Sequence, residues 1–207
     1  MRSASIQRKT NEVNITGQLN LDGSGKANIR TGFEPLNHLL TLAAFHGLFD
    51  LELAATGDLP HHIIEDVGIA LGKAFKQALG EKQGIRRYGC FTVAMDAVCV
   101  EVAVDISGRP SLHGVHSLVE GASGSVTQFL SQARFDNTEF SFGHATEFLE
   151  AFVQHAGISL VYVIKSAAGD LHHILEALFK ALGIALDQAT QQDPRRSGVP
   201  STKGIID

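Results

Sequence analysis

Apolar and polar residues alternate along "EVNITGQLNLDGSGKANIRTG", where Val13, Ile15, Leu19 and Leu21 fall on one face. This period of two, with Asp22-Gly23 as a turn signal, predicts a β-hairpin over residues 5–31. The pattern then changes. "LNHLLTLAAFHGL" (36–48) reads as a helix and "FDLELAATGDL" as a strand. In "HHIIEDVGIALGKAFKQALG", Ile64, Val67, Leu71 and Phe75 recur at helical spacing, and Gly80 is a C-terminal stop. From Cys90 the order returns. "CFTVAMDAVCVEVAVDISGRP" gives two strands broken near Met95-Asp96, "ATEFLEAFVQHAGI" a helix, "SLVYVIKSAAGDL" a strand and "HHILEALFKALGIALDQA" a second long helix.

The recurrence reaches individual residues. "GDLPHHIIED" (57–66) is matched by "GDLHHILEAL" (169–178), and His46 aligns with or beside His155. The chain therefore reads as an internal duplication. Residues 1–88 form the first half, 89–192 the second, and 193–207 a polar C-terminal tail. Each half supplies two or three strands and two helices. The expected fold class is α+β, a two-layer arrangement with helices packed on antiparallel sheets.

Composition narrows the function classes. The chain has 207 residues, 44% of them hydrophobic, and a net charge of −5. With no basic excess and no Trp, a nucleic-acid surface is unsupported. No apolar run approaches the ~18 residues of a membrane span, and "MRSASIQRKT" lacks the apolar core of a secretory signal. Cys90 and Cys99 make no disulfide framework, so a reducing cytoplasm is expected.

Ten histidines remain, and the HHxxE repeats give them a use. On a helix, residues three or four apart share a face, whereas adjacent residues diverge by about 100°. Glu65 can thus share an ion with His61 or His62, and Glu176 with His172 or His173. Two motifs can supply two ions, each taking one His from each motif and one Glu. Imidazole and carboxylate without thiolate suit Mn, Fe, Zn or Ni. A single HH pair at a helix start is more often a polar cap; two copies after matching GDL stretches favour metal. His113, His116 and His144 fall in a polar loop region and read as solvent-facing. His46 and His155 read as helix-end packing residues.

Several strings carry a family resemblance: "RKTNEVNI", "LDGSGKANIRTG", "HGLFDLELAATGDL", "HHIIEDVGIALG", "GIRRYG", "MDAVCVEVAVDISGRP", "HHILEALFKAL" and "PSTKG", in that order. From about residue 6 to the C-terminus the chain resembles the imidazoleglycerol-phosphate dehydratase family. The resemblance implies two similar β/α halves of the ribosomal protein S5 domain 2-like type. It implies a homo-oligomer of 24 subunits built from trimers, and two Mn²⁺ per active site at subunit contacts. The implied reaction removes water from imidazole glycerol phosphate, a small phosphorylated imidazole, to give imidazole acetol phosphate in histidine biosynthesis. The two ions stabilise the ring as an imidazolate. The implied metal ligands are His38, His61, His62, Glu65, His172, His173 and Glu176. Glu12, Glu65 and Glu176 are the implied catalytic carboxylates, Glu12 also contacting the substrate hydroxyls. Arg87, Arg109, Ser201 and Lys203 match the phosphate-holding positions, and forked Arg donors suit a phosphate dianion.

The chain also departs from the family. Val161 stands where an eighth metal-binding His is expected, and Ala97 where Met-Asp-Glu has its Glu. The acidic loop before the first HH is cut to Pro60, Asn37 replaces an Asp, and Asp170 replaces an Asn. These changes favour, as the alternative, a divergent member with weak activity or another phosphorylated ligand.

Overall fold

A computed structural model describes residues 1–116 and 126–206. The elements are β1 (Ser3–Lys9), β2 (Val13–Asn20), β3 (Ala27–Arg30), α1 (Glu34–His46), β4 (Asp50–Gly57) and α2 (Pro60–Leu79) in the first half. The second half has β5 (Tyr88–Met95), β6 (Val98–Asp105), β7 (Ser111–His116), α3 (Val126–Gln132), α4 (Phe142–Ala156), β8 (Ser159–Ala167) and α5 (Leu171–Thr190). Apart from α3, the order repeats.

Each half forms one four-stranded sheet, β1-β2-β4-β3 and β5-β6-β8-β7. Three strands of each are antiparallel, and the edge strand runs parallel to its neighbour: β3 to β4 and β7 to β8. Each sheet is therefore mixed rather than wholly antiparallel. The reason is topological, since a parallel pair needs a crossover, and α1 and α4 supply it.

The predicted hairpin over 5–31 is corrected in one respect. β1 and β2 do pair, but their turn is at Thr10–Glu12, where Thr10 Oγ1 accepts from the backbone N–H of Glu12 and of Val13, both at 3.1 Å. Asp22 does not turn β2 back on itself. Its carboxylate binds Arg2 at the far end of the sheet (2.6 Å), and the chain continues into β3.

Local signals set the helix ends. Pro60 opens α2, where its missing N–H costs nothing. Ser141 caps α4 by accepting from the N–H of His144, whose ring returns to Ser141 N. Asp170 caps α5 by accepting from the N–H of His173 at 2.9 Å.

The halves stack helix to helix, giving sheet, two helices, two helices, sheet. α2 crosses α4, and α1 crosses α5. Both crossings need glycine. A Cβ on Gly72 would lie 2.6 Å from the Phe152 carbonyl oxygen, and one on Gly183 would overlap that of Ala43. Gly72 and Gly183 sit at the same place in their HHxxE helices, so the duplication extends to the packing. The core fills with Phe75, Phe179, Leu36, Leu39, Ile64 and Leu149, all under 2–3% exposed. No helix among the described residues is long and apolar enough to cross a membrane.

Candidate active site

The α1–α5 crossing creates a ligand cluster. α1 delivers His38, whose neighbour Asn37 is tied to the end of β3 by Thr31 (Oγ1 to Oδ1, 2.7 Å). α5 presents His172 and Glu176 one turn apart. His38 Nε2 lies 2.6 Å and His172 Nε2 3.2 Å from the same atom, Glu176 Oε1. All three ligand atoms fall within 4.8 Å of one another, the only such group among the described residues. Metal–ligand bonds of ~2.0–2.2 Å place neighbouring donors roughly 3 Å apart, so the set fits one cation. With two imidazoles and one carboxylate, it suits a borderline or hard divalent ion.

Surrounding groups hold these ligands in place. Asp136 meets His172 Nδ1 at 2.9 Å, fixing the ring and leaving Nε2 aimed at Glu176. Phe135 stacks on His172 with centroids 4.3 Å apart. Glu176 is 7% exposed, and its second oxygen accepts from Lys180 at 2.9 Å. Burial, the largest single influence, pushes the Glu176 carboxyl up; hydrogen bonds from Lys180, His38 and His172 overcome it and hold it at about 2. The carboxylate is thus ionised at any physiological pH. For His172, burial works against the charged ring, but Asp136 and Glu176 outweigh it and raise its pKa. Lys180 was not singled out by the sequence. It lies four residues after Glu176, a helical ion-pair spacing that would have found it.

The remaining motif residues sit apart from this cluster. His62 Nδ1 contacts Asp58 at 2.7 Å and Glu12 Oε2 at 4.0 Å, and the Asp58 hydrogen bond raises its pKa. His61 and Glu65 are exposed on α2. His173 Nδ1 meets Asp170 at 2.9 Å, and its Nε2 lies 3.6 Å from Asp96 in the β5–β6 turn. Within one chain, therefore, the His residues of the two motifs do not come together. The observed pairing takes both HHxxE ligands from α5 and its third from α1.

The expected phosphate ligands lie elsewhere again. Arg87 makes a forked pair with Asp105 (2.7 and 3.1 Å) and donates to the Pro200 carbonyl at 3.0 Å. The tail runs beside residues 84–87, with Gly84 N donating to Gly198 O and Asp193 N to Gly84 O. Arg109 and Lys203 are exposed, and Ser201 Oγ accepts from the N–H of Lys203. This group is at the opposite end of α5. Arg87 N donates to Ala189 O, thirteen residues beyond Glu176, and at 1.5 Å per residue that is about 20 Å. One chain therefore does not bring His38, His172 and Glu176 together with the residues expected to hold phosphate.

Of the three histidines read as solvent-facing, His116 and His144 need correction. His116 packs edge-on to Phe142 and near Tyr162, and burial lowers its pKa. His144 belongs to the α4 cap. His113 is exposed, but on β7 rather than in a loop.

The imidazoleglycerol-phosphate dehydratase family model matches residues 31–186. The chain belongs to that family. Proteins named imidazoleglycerol-phosphate dehydratase from Pelobacter propionicus and Acetivibrio thermocellus are 47% and 48% identical to it over 208 residues, covering 99% of each chain. The family likeness holds in three dimensions. The Pyrococcus furiosus enzyme in complex with (S)-C348 superposes with a TM-score of 0.77 at 32% identity, covering 97% of this chain and 100% of that one. The Staphylococcus aureus enzyme gives a TM-score of 0.72, also at 32% identity, with 92% and 100% covered.

Proposed function

We propose that this chain is a hydro-lyase that dehydrates imidazole glycerol phosphate to imidazole acetol phosphate in histidine biosynthesis. The observation that carries the reading is the convergence of His38 and His172 on the ionised Glu176 in a chain of this family. His38, His172 and Glu176 hold one ion, and His61, His62, Glu65 and His173 are available to a second; Mn²⁺ fits the donor set. When bound, the ions supply Lewis acidity that stabilises negative charge on the substrate's imidazole ring.

The chain's own residues do the rest. Asp136, Asp58 and Asp170 fix the ring orientations of His172, His62 and His173. Arg109, Lys203 and Ser201 bind the phosphate, and Arg87 anchors the tail that carries two of them. Glu12, exposed beside His62, faces the substrate hydroxyls and moves the proton. The ~20 Å between cluster and phosphate group supports an active site shared between copies, in an assembly of trimers forming a 24-mer in the cytoplasm.

Val161 and Ala97 favour a second reading, a divergent member with weak or altered activity. Growth of a histidine auxotroph lacking this step separates the two. Expression of this chain, with metal content measured on the purified protein, should restore growth. Soluble, metal-loaded protein that fails to restore growth overturns the dehydratase reading in favour of the second.

A further inference from the structure

Resting on the metal reading above, we propose that His113 supplies, to a metal site completed by a second copy of this chain, the imidazole that Val161 lacks. In the parallel register of β7 and β8, His113 lies directly beside Val161. Both point outward, since Leu160 and Tyr162 on either side of Val161 are buried while Val161 and His113 are exposed. The row continues across the sheet as Ala103 and Cys90. Neighbouring strands are about 4.8 Å apart, so a ring leaning from 113 toward β8 approaches the space above 161. Gly114 holds β7 close: a side chain there would collide with the Tyr162 hydroxyl. Among the described residues the His113 imidazole has no partner.

Its surroundings suit the role. The next outward row is Tyr88, Asp105, Ser159 and Ser111. Asp105 in that row binds Arg87, and Ser159 Oγ donates to the Arg109 carbonyl at 2.8 Å. His113 is thus two residues, about 6.6 Å, from the row that seats both arginines. It stands at the phosphate-binding end of the chain, where the metal motif must come from another copy.

The complementary half lies on α2. His61 and Glu65 repeat the spacing of His172 and Glu176, but they are exposed. Gly183 meets Ala43 on α1 as Gly72 meets Phe152 on α4, so the α4 counterpart of His38 is Glu147. The α2 pair therefore receives no imidazole from the helix that crosses it. An outward His on a second copy supplies one.

Mn²⁺ stoichiometry and affinity of the full-length protein, by equilibrium dialysis and electron paramagnetic resonance, test the assignment. Wild type should bind two ions per subunit. His113→Ala should weaken one by more than the roughly 10–100-fold typical of losing a supporting partner, while leaving the other, which His38→Ala removes. His113→Ala with Val161→His should recover the second ion. Two ions of unchanged affinity in His113→Ala overturn the proposal and leave the metal reading standing. A loss that Val161→His does not repair also overturns it, because the imidazole is then not interchangeable between the two strands. Wild-type protein that takes up no Mn²⁺ refutes the metal reading and the proposal together.

Discussion

Glu176→Gln keeps the side chain's shape and removes its charge, which isolates what the ionised carboxylate contributes to the fold. In the native protein the carboxyl is held at about 2 against an ordinary 4.5. A folded-state pKa below the unfolded one contributes stability that is present above the unfolded value and lost as pH falls through the folded one. At about 1.4 kcal/mol per pK unit, the charge contributes on the order of 3 kcal/mol at pH 7. The side chain is only 9% exposed, so solvent screening takes little of this away. In the variant, Lys180 also loses its anionic partner. Urea unfolding of chelator-treated protein, at one protein concentration, should show Glu176→Gln less stable by about 3 kcal/mol at pH 7. At pH 3 the gap should narrow to roughly 1.5 kcal/mol. Equal stability at pH 7, or a gap that persists unchanged into acid, would refute the argument that His38, His172 and Lys180 together outweigh burial.

Gly183→Ala drives a methyl into the Ala43 carbonyl at the α1–α5 crossing. Thermal unfolding should show a loss of about 1–3 kcal/mol, together with weaker metal binding, because His38 reaches Glu176 only through that crossing; an unchanged melting temperature would count against the close approach. Truncation after Gln192 removes Lys203, Ser201 and the Pro200 acceptor of Arg87. Steady-state kinetics should show KM raised about 10–100-fold, the worth of one charged hydrogen bond at ~1.5–3 kcal/mol, with the melting temperature nearly unchanged. An unaltered KM would remove the tail from the phosphate site.

Much of this protein is legible in the sequence because it is set by spacing along a few turns of chain. The apolar periodicity of Ile64, Val67, Leu71 and Phe75 and the matching HHxxE strings fixed α2, α5 and the duplication, since helical geometry repeats every 3.6 residues whatever the helix packs against. Glu176 with His172, and with the overlooked Lys180, follows from the same arithmetic. Tertiary structure alone decided the rest. His38 meets Glu176 across 138 residues only because α1 and α5 cross closely where Gly183 meets Ala43. Asp22-Gly23 looks like a hairpin turn but serves a crossover, because β3 gains its partner β4 after α1 has been laid down between them. His113 reads as a loop residue until the register of β7 against β8 sets it beside Val161. The ~20 Å between Glu176 and the end of α5 where Arg87 and the tail sit is the length of a rigid helix, a distance no motif encodes.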